Sequence, residues 1–292
     1  DKRYAKRLEI SQVVFTARGH RCCQHNHGIG WPSYVENLWQ VTHDDGLAAW
    51  LYCACEVNAR VGKDGVKVRI EENTNYPFDE TVNLEIEPER IVGFPLYLRV
   101  PGWCNGFQVY VNGEKVDATA PPRSYLKIEK EWQPGDRVKI IMPMEITITE
   151  WPRNGSVTVD RGPLSYSIKI EEEWRKCGGT EEWPDWEILP KSPWNYGLCI
   201  NRDNLETSLS VIVKDIVKGQ PWTVENAPIE IKAKAKKIPN WKIEDGMVQE
   251  LKVGPIKSDE PEEEITLIPM GCARLRMSCL PVISEKEHAM EW

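Results

Sequence analysis

Along most of the chain apolar and polar residues alternate. Val66-Lys67-Val68-Arg69-Ile70 and Val82-Asn83-Leu84-Glu85-Ile86 follow a period of two, the pattern of a strand with one buried face. Leu96-Tyr97-Leu98-Arg99-Val100 repeats it and is stopped by Pro101-Gly102. Gln108-Val109-Tyr110-Val111 runs into Asn112-Gly113, the strongest short hairpin signal in the chain. Tyr125–Ile128 and Val138–Ile141 flank a second turn at Pro134-Gly135-Asp136. Short strands at this spacing predict a β-sandwich over residues 59–152. A second β-rich, sandwich-like unit follows over 153–292, with strands near Val157–Asp160, Leu164–Ile168, Ile229–Ala233, Ile265–Ile268 and Ala273–Met277. Between Glu171 and Tyr196 the density of Trp, Glu, Pro and Gly predicts a long surface loop. The acidic run 259–264 reads as a solvated one.

The first 58 residues break this rhythm. After an extended run at 12–16, Pro32 fits the first turn of a helix, and Val35, Leu38 and Trp39 fall on one helical face. His43-Asp44-Asp45-Gly46 supplies turn residues that end it. No other segment reads as helical.

Composition changes this picture little. With 292 residues the chain has room for about two domains, and 41% apolar with 28% charged residues is ordinary for a globular protein. A net charge of -8 argues against nucleic-acid binding and gives no reason to expect adhesion to anionic membranes. Thirteen Trp against four Phe is unusual, and because indole rings stack on sugar faces it leans towards a carbohydrate partner, although Trp contributes mainly buried area in most folds. Nine cysteines at irregular spacing do not form a disulfide framework. The opening Asp1-Lys2-Arg3-Tyr4 has no signal-peptide character, so the chain reads as starting inside a longer protein.

The chemistry concentrates at Arg18-Gly19-His20-Arg21-Cys22-Cys23-Gln24-His25-Asn26-His27-Gly28. A free thiol with a pKa of about 8.5 is a weak nucleophile at neutral pH. A bound zinc ion would hold it as thiolate, and two vicinal sulfurs could share one metal. Two ligands do not complete a tetrahedral site, so His20, His25, His27 or residues elsewhere would have to contribute. Taken alone, a vicinal pair is more often two ordinary buried cysteines than a metal site. Cys53-Ala54-Cys55 has strand spacing that sends both thiols to one face, which fits buried apolar cysteines better. No Walker loop, dinucleotide fingerprint or Gly-x-Ser-x-Gly elbow is present.

Arg21-Cys22-Cys23-Gln24-His25-Asn26 followed by Gly30-Trp31-Pro32 resembles the conserved region of glycoside hydrolase family 127. So do Leu98-Arg99-Val100-Pro101-Gly102-Trp103, Val111-Asn112-Gly113, Trp132-Gln133-Pro134-Gly135-Asp136, Val159-Asp160-Arg161-Gly162-Pro163-Leu164 and Pro193-Trp194-Asn195-Tyr196-Gly197. The likeness runs in order through most of the chain.

The resemblance implies a mainly β chain. Two β-sandwich-like domains would follow a short helical remnant of an (α/α)6 barrel over residues 1–58, which carries the Cys-Cys motif. It also implies a retaining β-L-arabinofuranosidase-like exo-enzyme acting on a plant-type glycan, with an oligosaccharide or polysaccharide as substrate. Cys22 would be the nucleophile and a ligand of one zinc ion, and Cys23 a second ligand. His25, His27 and Trp31 would lie beside the substrate. The family's glutamate and third cysteine ligands and its acid/base glutamate lie upstream and have no match here. This chain alone would then be inactive, and its protein partner would be the missing N-terminal part or a second copy in a homodimer. Gln24-His25 stands where characterised members have Pro-Pro, next to the site. A periplasmic or secreted parent fits glycan degradation better than a cytoplasmic one. The alternative from another class is a non-catalytic carbohydrate-binding or structural β-sandwich module, using exposed Trp residues of the 171–196 segment.

Overall fold

The computed structural model describes residues 14–15, 21–215, 219–244, 247–285 and 289–292. Two compact units divide the chain: His20–Glu145, and Ile146–Trp292 together with Asp1–Gly19. Val14–Phe15 forms β1 of the latter unit, and helix α1, Arg21–Glu36, opens the former.

In the unit of residues 20–145, α1 is followed by β2 (Trp39–Val41), β3 (Leu47–Ala49), β4 (Cys55–Val61), β5 (Val66–Thr74), β6 (Thr81–Pro88) and β7 (Val92–Val100). Then come β8 (Gln108–Val111), β9 (Glu114–Lys115), β10 (Ser124–Trp132) and β11 (Asp136–Ile141). They make a four-stranded sheet, β10-β7-β3-β2, and a six-stranded sheet, β4-β5-β6-β11-β8-β9. Leu96, Leu98, Val100, Leu126 and Trp132 from the first sheet join Val68, Ile70, Leu84, Ile86, Val138 and Ile140 from the second in one hydrophobic core. That is the geometry of a β-sandwich, in which alternate residues of each strand face inward.

Side-chain hydrogen bonds fix the turns. The Trp132 indole N–H donates to the Phe94 carbonyl at 2.9 Å inside the core. Asp136, almost fully buried, closes the Pro134-Gly135 turn by accepting from the Gln133 N–H at 3.0 Å, from Asn112 Nδ2 at 2.8 Å and from Lys130 Nζ at 2.9 Å. Burial pushes its carboxyl up, but these donors outweigh burial and hold it below its ordinary value. Asn112 and Gly113 take φ values of 52° and 89°, as a two-residue primed hairpin requires. Gly46 has a different constraint: a Cβ there would lie 2.2 Å from the Pro95 carbonyl oxygen, so only glycine fits where the β2–β3 turn meets β7.

The other unit is built on a seven-stranded antiparallel sheet. Its strands are β12 (Ile146–Glu150), β13 (Val157–Arg161), β14 (Leu164–Ile168), β17 (Tyr196–Leu198), β18 (Leu209–Val213), β19 (Ile229–Lys237) and β23 (Glu262–Pro269), numbered in chain order with those below. Between β14 and β17 the expected loop is instead a hairpin, β15 (Glu172–Gly179) and β16 (Pro184–Pro190), to which β1 adds a third strand. Gly179, with φ of 78° and no room for a Cβ, makes its turn, and a Trp174–Trp186 edge contact at 6.0 Å spans its two strands. Trp183 and Trp174 of this hairpin are exposed, whereas Trp194 packs against the buried Trp241. Short pairs β20–β21 (Ile243–Glu244, Met247–Val248) and β22–β24 (Ile256–Lys257, Met290–Glu291) complete the described strands.

The helix differs from expectation in length. It starts at Arg21 rather than at Pro32, so Pro32 lies inside it and Gly28 and Gly30 precede that proline. Trp39, expected on the helical face, is the first residue of β2. The helix ends when Asn37 Nδ2 donates to the Ser33 carbonyl at 2.7 Å. His43–Gly46 forms the β2–β3 turn instead, where Asp44 accepts from Thr42 and Tyr97 hydroxyls.

Candidate active-site helix and its support

Positions 22 and 23 fall in the first turn of α1. The free N–H groups of a first helical turn favour negative charge and hence a thiolate. The side chains of Cys22 and Cys23 lie outside the described residues, as does all of His20. Position 23 is one turn before His27 and two before Trp31, so the three share a helical face. Along that face the His27 and Trp31 rings stack at 6.4 Å, and Trp31 stacks on Tyr34 at 5.5 Å. His25, His27 and Trp31 are all exposed.

Two glycines and a proline inside a helix cost about 1 kcal/mol each and about 3 kcal/mol. A Cβ added at Gly28 or Gly30 would meet no atom within 4 Å, and Ile29, Trp31, Tyr34 and Val35 are exposed. The middle of the helix around Gly28 and Gly30 is therefore open.

A second group gathers where β2 begins, just after α1 along the chain. Glu72 is nearly fully buried, and its Oε2 accepts from Trp39 Nε1 at 2.8 Å while Oε1 accepts from the Cys53 N–H at 3.0 Å. Cys55 Sγ is 3.7 Å from Oε2. Burial raises this carboxyl to about 7 against the opposing pull of its three donors. Cys53 is raised by burial and by Glu72, and Cys55 is pushed up to about 12 by the same two causes. These half-buried thiols therefore stay protonated and are poor nucleophiles. The phenol of Tyr34, on the helix, is raised by burial first and then by Cys53, with Arg99 opposing. In the sequence, the alternation Val66, Val68, Ile70 is the one signal that points position 72 inward.

Cys22 and Cys23 are soft donors suited to zinc, and their first-turn backbone placement favours the anionic form that metal binding needs. They offer two ligands of four. Among the described residues no group of three or more His, Cys, Asp or Glu side chains is arranged to hold a metal ion. The donor chemistry thus fits zinc in part.

The family model described as β-L-arabinofuranosidase, GH127 middle domain, matches residues 46–144. No curated protein sequence matches the chain. Among solved structures, a GH127 β-L-arabinofuranosidase from Geobacillus stearothermophilus T6 superposes with a TM-score of 0.59 at 28% identity, covering 87% of this chain and 36% of its own. A protein described as a glycoside hydrolase gives 0.64 at 19% identity, covering 97% and 49%. A GH127 β-arabinofuranosidase gives 0.63 at 20% identity, covering 97% and 46%. The last two are likenesses of fold. The chain spans less than half the length of each of these structures. Residues 46–144 thus match the middle domain of glycoside hydrolase family 127, and the β-rich fold around them resembles that of the family's solved structures.

Proposed function

We propose that this chain is the Cys22–Cys23 part of a retaining glycoside hydrolase that releases β-L-arabinofuranosyl groups from a plant-type glycan. The observation that carries the proposal is the vicinal cysteine pair in the first turn of a helix, Arg21–Glu36, that precedes the segment matching the family's middle domain, residues 46–144. The next thiols along the chain, Cys53 and Cys55, are held protonated and serve as structure.

Cys22 and Cys23 would each give one thiolate to a single zinc ion, with the remaining ligands supplied by the rest of the protein. Bound there, the metal keeps the Cys22 sulfur deprotonated near pH 7 and a competent leaving group. Cys22 Sγ attacks the anomeric carbon. As the C–S bond forms, the bond to the leaving oxygen breaks, and that oxygen takes a proton from a general acid outside this chain. Water then attacks the same carbon from the opposite side and gives its proton to the conjugate base. The C–S bond breaks, Cys22 leaves as thiolate, and two inversions yield retention. The exposed His27–Trp31–Tyr34 stack lies on the helical face of position 23 and would border the sugar, with His25 beside it.

In the full-length protein, Cys22→Ala should lower kcat on an aryl β-L-arabinofuranoside by about 10⁴-fold or more, as loss of a nucleophile does. Turnover within a few-fold of the parent would overturn the assignment. Trp31→Ala should act mainly on KM.

A further inference from the structure

The outer face of the six-stranded sheet carries a groove of about 660 Å³, remote in sequence from α1 and lined by Asn73, Asn83, Glu85, Tyr110, Arg137 and Lys139. Strand register sets these side chains in rows. Asn73 is opposite Asn83, Asn83 opposite Lys139, and Lys139 opposite Tyr110, so one row crosses β5, β6, β11 and β8. At a strand spacing of about 4.8 Å this row is about 14 Å long, more than one sugar ring needs. The neighbouring row runs Glu71, Glu85, Arg137.

The chemistry of the rows is selective. Arg137 pairs with Glu85 at 3.2 Å and cancels its charge. Asn73 Nδ2 donates to Glu71 at 3.1 Å, and the Tyr110 hydroxyl donates to Gln108 at 3.1 Å, which fixes the ring. Asn83 and Lys139 have no side-chain partner among the described residues. Each amide offers both a donor and an acceptor, as vicinal hydroxyls require, and the Tyr110 ring offers a flat apolar surface. An anionic ligand would find one uncompensated cation, and the apolar edges of Leu84, Val138 and Ile141 between the polar rows suit the mixed faces of a sugar ring.

We propose that this face is a second glycan site, separate from the helix, which holds a neutral oligosaccharide chain along the Asn73–Asn83–Lys139–Tyr110 row. The choice of a glycan over another neutral polar ligand rests on the glycosidase reading. The site would keep a polymeric substrate near the enzyme, raising its effective concentration at the catalytic centre.

The test is affinity electrophoresis of the full-length protein through gels containing soluble arabinan or arabinogalactan. Retardation by at least one polysaccharide is expected. Tyr110→Ala and the pair Asn83→Ala/Lys139→Ala should each weaken it about tenfold, and Tyr110→Phe should preserve it. Turnover of a small aryl arabinofuranoside by these variants should be unchanged, which also shows that they are folded. No retardation by either polysaccharide, or equal retardation by Tyr110→Ala, overturns the site. Cys22→Ala reports on the catalytic reading separately: retained turnover there, with retardation lost in Tyr110→Ala, would remove that reading and leave the groove standing.

Discussion

At the level of single residues the most informative side chain is Glu72. Its carboxyl joins Trp39 of β2, the Cys53 backbone and Cys55 of β4 at the point where α1 enters the sandwich. Burial raises its pKa from 4.5 to about 7. The folded state therefore holds a proton that the unfolded chain has already lost, so stability falls as pH rises from about 4.5 through 7 and then levels off. Glu72→Gln keeps an acceptor but cannot ionise. Chemical denaturation at pH 5 and pH 8 should show a smaller loss of stability between the two in Glu72→Gln than in the parent, and an identical loss would refute the assignment. The cysteine pair was legible because Cys22-Cys23 stands in a run of motif residues. Glu72 was equally visible in principle, since Val66, Val68 and Ile70 place its strand position inward, but a carboxylate is read as exposed unless its partners are known. Those partners are 33 and 19 residues away along the chain.

Among the elements, strands with one buried face were legible and their pairings less so. The alternation in β5, β6 and β11 and the Asn112-Gly113 turn are local signals, and the structure reproduces them. The parallel pairing of β3 with β7 and the antiparallel pairing of distant β14 with β23 come from tertiary burial that no local pattern carries. Helix α1 is longer than the sequence predicts because Gly28, Gly30 and Pro32 each disfavour a helix. The β15–β16 hairpin is hidden in the sequence because neither strand has a buried face to impose alternation. Asp136 shows how a turn is held. In Asp136→Ala, Gln133 N–H, Asn112 Nδ2 and Lys130 would all lose their acceptor, at a cost of about 2–4 kcal/mol. Urea denaturation should show that loss, while a change below about 0.5 kcal/mol, the range of neutral surface substitutions, would mean the turn is held by its backbone alone.

For the whole molecule, the chain carries a segment that matches the family 127 middle domain, a further β unit and a helix ahead of that segment, over less than half the length of the similar structures. The account requires the cysteine pair of that helix to meet further ligands from the rest of the protein around one metal ion. The direct measurement is zinc per chain, by elemental mass spectrometry, on full-length protein purified without added metal, alongside the Cys22→Ser/Cys23→Ser variant. One zinc per chain is expected in the parent, and its loss in the variant. A folded parent without zinc, or a variant that keeps its zinc, would contradict it.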